Sequence, residues 1–319
     1  MTAFLDSLPR PTDRNGDPRR VGIEVELGGI TETEVAAAIA EQFGGTVRKT
    51  ASYEYRVANT RLGNFEVLLD TALRDHVEGR IAEIGLDLGR AVIPVEFVTP
   101  PILPEQIAEI DDLCARLVQR GGFGTSDGIV LGFGLHLNVA LPGTEVDDIL
   151  PVLQAFALIE DWMRVHIGID AARRVQPFVG TYSTALLDAI CDPTVTWTVE
   201  RLVDVYLDRA GTRNHALDVL PLLKHLDPER VVAQVPDMSA KSARPAWHYR
   251  LPDCRIDEPQ WNVALEWARW CAIERVAGDP ELMSRLTRAW RDYRKRALPV
   301  PGRWRAVSAE ILDEVRPLS

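Results

Sequence analysis

The run Arg20-Val21-Gly22-Ile23-Glu24-Val25-Glu26-Leu27 constrains this chain more than any other stretch. Ile23, Val25 and Leu27 alternate with Glu24 and Glu26, which is the period of a half-buried strand. Side chains two apart on a strand leave the same face, about 7 Å from one another. One rigid element therefore holds two carboxylates side by side, backed by an apolar face that something must cover. Neighbouring like charges on one sheet face repel. The pair thus admits two readings: a cation sits between the carboxylates, or both are solvated on an exposed face.

Four other stretches share this division. In Phe65-Glu66-Val67-Leu68-Leu69-Asp70, Glu66 and Asp70 fall on one face, against Phe65, Val67 and Leu69. Pro94-Val95-Glu96-Phe97-Val98 sets a single carboxylate in an apolar context, which is costly unless it is paired or metal-bound. Gly132-Phe133-Gly134-Leu135-His136-Leu137-Asn138-Val139 puts His136 and Asn138 on one face. Its glycines would let a ligand or a backbone approach closely; the histidine is either a satisfied structural residue or a ligand. In Ala246-Trp247-His248-Tyr249-Arg250-Leu251, His248 and Arg250 point one way. A sheet built from such strands is covered by helices on its apolar side and is polar, acid-rich and concave on the other. Function belongs on the polar side.

Between the strands, Thr31 and Glu34 form a capping box for a helix that stops at Gly44-Gly45. Residues 46–58 read as one extended run, turned at 59–64 and returned through Phe65, an antiparallel hairpin. Helices are expected over 76–89, 104–119 and 144–168, across most of 171–235, and over 260–277 and 280–296. The predicted organisation is a flexible N-terminus (1–18), a single domain (19–296) and a C-terminal tail (297–319). Within the domain, 19–142 is sheet-rich, 143–242 helical, and 243–296 supplies the last strand and closing helices.

The 319 residues, 46% apolar and 26% charged, suffice for a large core. A net charge of −11 argues against a general nucleic-acid or membrane-surface binder. Cys114, Cys191, Cys254 and Cys271 are scattered and form no C-x-x-C pair, a pattern suited to a reducing cytosol. Residues 1–18 lack the apolar centre of a signal peptide, and no run is long enough to span a membrane. The expected location is the cytoplasm.

Gly22-Ile23-Glu24-Val25-Glu26, Val95-Glu96-Phe97-Val98-Thr99-Pro100-Pro101 and Gly134-Leu135-His136-Leu137-Asn138 together resemble three successive strand motifs of the amidoligase family. That family is a branch of the carboxylate–amine ligases related to glutamine synthetase and glutamate–cysteine ligase. Phe65 to Asp70 is similar to the strand between the first two motifs, Arg213-Asn214 to an Arg/Asn element of the helical half, and Trp247 to Pro252 to the last strand. The order holds over about residues 19 to 277.

The resemblance implies an α+β fold, a glutamine synthetase-like cupped antiparallel sheet with helices on its outer face. It implies an ATP-dependent ligase that phosphorylates a carboxylate and lets an amine attack the acyl phosphate. ATP and Mg2+, with Mn2+ as an alternative, would be the cofactors. A small-molecule or peptide carboxylate and an amine donor would be the partners; neither nucleic acid nor membrane is expected, and self-association is left open. By the same analogy Glu24, His136 and the last-strand residue surround one metal, and Glu26 and Glu96 hold another. Asn138, His136, His248 and Arg250 lie at the cofactor. Arg250 and Arg213 steady a phosphate or carboxylate, or else form structural ion pairs. Asp70 orients the substrate or the amine.

Two positions depart from the family pattern. His248-Tyr249-Arg250 stands where relatives have Glu-x-Arg, and Asn138 stands where a histidine is frequent. Imidazole favours softer divalent ions than magnesium. His248 therefore shifts the metal preference, contacts nucleotide or substrate, or weakens one metal site. The last case makes the chain a catalytically weakened, nucleotide- and metal-binding regulatory homologue. A metal-dependent hydrolase is a further alternative, disfavoured because no H-E-x-x-H helix is present.

Overall fold

The computed structural model describes residues 6–69, 94–125, 132–169, 179–295 and 302–315. Asp70 and the helix expected over 76–89 lie outside these. Among the described residues are seven strands: β1 (Val21–Leu27), β2 (Thr46–Ala51), β3 (Glu54–Thr60), β4 (Gly63–Leu69), β5 (Val95–Val98), β6 (Leu135–Ala140) and β7 (Ala246–Tyr249). They pair antiparallel throughout in one sheet of order β2-β3-β4-β5-β1-β6-β7. The carboxylate strand β1 lies between β5 and β6, which bring Glu96 and His136 beside it, with β7 one strand further on.

The alternation predicted for β1 holds. Ile23, Val25 and Leu27 are fully buried with Phe65, Val67, Phe97, Leu135, Leu137 and Val139, which form the apolar face of the sheet. Helix α1 (Glu32–Phe43) covers its β3–β4 end, stacking Phe43 on Phe65 at 5.2 Å between ring centroids. Its start shows the expected capping box, with Thr31 and Glu34 bonded reciprocally. Helix α2 (Ile107–Gln119) follows a short 3-10 turn, and α3 (Val146–Ile167) occupies the stretch read as 144–168. The helical half contains α4 (Thr184–Ile190), α5 (Val199–Ala210), α6 (Leu220–Leu226) and α7 (Pro228–Gln234). After β7 come α8 (Val263–Ala277), α9 (Pro280–Arg294) and α10 (Arg303–Val315). Trp270 of α8 and Phe156 of α3 close the apolar side at the β7 end, with Tyr249 lying 5.4 and 6.0 Å from their respective rings.

Three stretches differ from expectation. Residues 46–58 form two paired strands, because a turn at Ser52-Tyr53 folds the run back on itself. Tyr53 sits at φ +63, a left-handed conformation more often supplied by glycine, so the residue types gave no sign of a break. Residues 6–18 are pinned to the helical layer: Arg10 and Arg14 bond Asp148 at 2.9 and 2.7 Å, at the start of α3. Beyond residue 297, α10 packs on α3, and the buried Trp304 donates from Nε1 to the Leu158 carbonyl at 2.9 Å.

The outer edge of β7 is covered as well. The segment before α6 runs beside it, with the Asp218 N–H bonded to the His248 carbonyl at 2.9 Å and the Arg250 N–H to the Ala216 carbonyl at 2.7 Å. This fixes the backbone of the last motif from both sides.

Candidate functional site

Antiparallel register sets the polar face of β5, β1, β6 and β7. Glu26 of β1 stands opposite Glu96 of β5, and Glu24 of β1 opposite His136 of β6. Asn138 of β6 stands opposite His248 of β7. Residues 72 to 224 positions away from Glu24 thus form one diagonal stripe across the sheet.

The side chains meet as the register requires. Glu24 Oε2 lies 3.0 Å from His136 Nδ1, and Glu24 Oε1 accepts from Asn138 Nδ2 at 2.8 Å. His136 Nε2 lies 3.5 Å from Glu26 Oε1, while Glu26 Oε2 accepts the Gly134 N–H at 2.6 Å. Asn138 Oδ1 in turn receives His248 Nδ1 at 2.9 Å and Arg244 Nη1 at 3.1 Å. The glycine at 134 brings its backbone against a carboxylate, the close approach expected of that position.

Glu24, Glu26, His136, Asn138 and His248 are all buried, and Glu96 is half-buried. The solvated-glutamate reading of the first strand is therefore excluded. Burial works to raise the Glu24 carboxyl, but the His136 hydrogen bond and the nearby Arg244 charge outweigh it and hold Glu24 well below the ordinary carboxylate range. Burial pushes the His248 imidazole well below its usual value, with Glu24 opposing, so it is neutral at pH 7.

Two groups of donor atoms are close enough to share an ion: Glu24, His136 and His248, and Glu26, Glu96 and His136, each with all donor atoms within 4.8 Å. Donors about 3 Å apart subtend roughly a right angle at an ion about 2.1 Å from each. The second group, with two carboxylates, fits a hard ion such as magnesium. The first, with two imidazoles and one carboxylate, is softer.

A cavity of about 110 Å³ opens at the β7 end of the stripe, lined by Glu24, Asn138 and His248 together with Arg213, Lys241 and Arg244. Three cations beside a buried acid stand out in a chain whose net charge is −11. A family model described as "Putative amidoligase enzyme" matches residues 17–272. The chain belongs to the amidoligase family. No curated protein and no solved structure matches it.

Of the residues singled out in the sequence, Glu24, Glu26, Glu96, His136, Asn138 and His248 are brought together. Arg213 lines the cavity and also forms an ion pair, Nε to Asp218 Oδ2 at 2.8 Å. Asp218 is fully buried; burial raises its carboxyl, and the charges of Arg213 and Arg250 oppose the rise. Arg250 donates to the Arg213 carbonyl at 2.9 Å, coupling the last strand to the Arg213-Asn214 element. Glu66 lies on the same face, one strand beyond Glu96, and spends its carboxylate in an exposed pair with Arg56 at 2.8 Å. Asp70 lies outside the described residues.

Arg244 and Lys241 were missed by the sequence reading. They belong to Lys241-Ser242-Ala243-Arg244-Pro245, which has neither period nor motif. Its one signal is two cations just ahead of the strand carrying His248. Lys224 anchors this segment by donating to the carbonyls of Met238, Ser239 and Lys241, and the Arg244 N–H bonds the Pro221 carbonyl.

Proposed function

We propose that this amidoligase is an ATP-dependent carboxylate–amine ligase whose sheet is cupped in the manner of glutamine synthetase. The observation that carries the reading is the convergence of Glu24, Glu26, Glu96 and His136 from three strands, with Glu24 also lining a cavity edged by Arg213, Lys241 and Arg244. Acids below and cations around a cavity suit a polyphosphate: ions on the carboxylates screen one side and guanidinium groups the other.

A substrate carboxylate oxygen attacks the terminal phosphorus of ATP, and the bond to the bridging oxygen breaks to release ADP. An amine nitrogen then attacks the activated carbonyl carbon, gives up a proton and expels phosphate, leaving an amide. Divalent ions, when bound, neutralise the charge that builds on the transferring phosphoryl group. Glu26 and Glu96 would hold one ion, with Gly134 N–H keeping the Glu26 carboxylate in place. Arg244 and Lys241 would grip an anionic oxygen of nucleotide or substrate, and Arg250 would keep Arg213 in position. Asp70 keeps its expected role of orienting the substrate or the amine.

Incubation of the purified protein with ATP, Mg2+ or Mn2+ and pools of amines and carboxylates tests this. Substrate-dependent release of ADP is expected, reduced at least a hundredfold in Glu24→Ala and Glu96→Ala (about 3 kcal/mol of lost stabilisation). Release that is unchanged in both variants contradicts the reading. One observation favours a second reading, a nucleotide-binding regulator without turnover. Arg244 Nη1 already lies 3.3 Å from Glu24 Oε1, a cation where an ion would bind. Nucleotide binding by calorimetry without turnover on any pool would support it.

A further inference from the structure

The two donor groups differ in chemistry, and the difference fixes what each can select. We infer that Glu24, His136 and His248 form a distinct site for a divalent ion that takes imidazole more readily than Mg2+ does, Co2+ or Zn2+ ahead of Mn2+, leaving magnesium to Glu26 and Glu96. The inference deepens the ligase reading, because this ion would serve the same cavity.

The hydrogen-bond network assigns the lone pairs. Asn138 Nδ2 donates to Glu24 Oε1 at 2.8 Å, and a carboxylate can only accept. The amide is therefore oriented with Oδ1 toward His248 and Arg244. A carbonyl oxygen only accepts, so His248 Nδ1 carries its proton and donates at 2.9 Å. The lone pair of the neutral ring must then sit on Nε2. A metal-ligating histidine characteristically donates its other ring N–H to an oxygen acceptor in this way, which fixes both tautomer and ring orientation.

His136 belongs to both groups, yet a neutral imidazole has one lone pair. Ligation through Nδ1, the atom 3.0 Å from Glu24 Oε2, leaves the Nε2–H directed at Glu26 Oε1, 3.5 Å away. The same arrangement, ligand nitrogen toward one ion and N–H toward an oxygen acceptor, then holds for both histidines: Asn138 Oδ1 for His248 and Glu26 Oε1 for His136. The rings meet edge to face, with centroids 5.3 Å apart, so that both can address one point beside Glu24. Two imidazoles and a carboxylate bind Co2+ and Zn2+ more tightly than Mn2+, with magnesium disfavoured. A glutamate in place of His248 would give the site a second hard ligand and erase that preference.

The test is a titration of the full-length protein with Co2+ in excess Mg2+, without nucleotide, followed by visible absorption and calorimetry. Wild type is expected to bind Co2+ against the Mg2+ excess. His248→Gln should weaken Co2+ binding by about 10–100-fold with its Mg2+ affinity unchanged, and His248→Glu should let Mg2+ compete. Equal competition by Mg2+ in wild type, or unchanged Co2+ affinity and spectrum in His248→Gln, would overturn the inference. If the variants fail to fold, pulsed electron paramagnetic resonance of Mn2+-loaded wild type decides: two imidazole nitrogen couplings support it, and one or none refutes it. Because no nucleotide is present, failure to release ADP with the Co2+ result intact removes the ligase reading alone. The converse pair of outcomes removes only this inference.

Discussion

At the scale of single residues, the site is a set of polar groups that satisfy one another in the absence of bulk water. Asn138 is the hinge of that set, donating to Glu24 while accepting from His248 and Arg244. Arg244 is the member that reaches the cavity, its side chain 45% exposed against 10% for Glu24. Arg244→Ala should therefore raise the KM for ATP or the carboxylate about tenfold or more, with less effect on the fold, because it removes a charge-assisted contact at the rim. Steady-state ADP release at varied ATP and carboxylate checks this; an unchanged KM for both would remove Arg244 from the binding surface. The two shifted groups also set a pH dependence. His248, depressed below its unfolded value of 6.5, stabilises the fold above that pH. Its contribution disappears as pH falls through the folded value, since protonation places a charge in a buried site. Glu24, depressed below 4.5, adds a second loss as pH falls further, through its own folded value. Urea midpoints measured in metal-free buffer should fall as pH drops below 6.5, and less steeply in His248→Gln. A midpoint independent of pH in that window would contradict the assignment.

At the scale of elements, β1 is anchored by a residue just outside it. Arg19 is buried and bonds Glu274 of α8 through both nitrogens, Nη1 at 2.8 Å and Nη2 at 2.6 Å. It also donates to the carbonyls of Ala140 and Arg10, and Trp270 donates to the same glutamate at 2.9 Å. Every arm of this guanidinium is satisfied, so Arg19→Ala leaves a buried carboxylate without its counter-charge. A loss of about 3–5 kcal/mol in urea unfolding is expected; a loss under 1 kcal/mol would show the pair to be dispensable. Much of this level was legible beforehand. Alternation placed Glu24, Glu26, Glu96, His136, Asn138 and His248 on the polar faces of their strands, and Thr31 with Glu34 announced α1. What alternation could not supply was register: it gives a face, not the partner across the ladder, so the pairings Glu26–Glu96 and Asn138–His248 appear only in the folded sheet. Arg244 and the turn at Tyr53 were illegible for a related reason. Both depend on backbone paths fixed by contacts distant in sequence.

At the scale of the whole molecule, the helical half does more than bury the apolar side of the sheet. The segments at 213–221 and 241–246 reach the other side, edging β7 and lining the cavity above Glu24. Packing holds the acids of the sheet against the cations of the helical half, an arrangement whose repulsions and desolvation costs are offset only when charges of both signs are present. Among the described residues no helix is long and apolar enough to cross a membrane. The whole account depends on ions gathering on this stripe beneath a nucleotide. Anomalous scattering from crystals grown with Mn2+ and a non-hydrolysable ATP analogue measures that directly. The account predicts manganese peaks within about 2.1 Å of the donor atoms of Glu26 and Glu96, and of Glu24, His136 and His248, with the terminal phosphate between the ions and Arg244. Nucleotide and manganese bound elsewhere, with the stripe free of density, would contradict it.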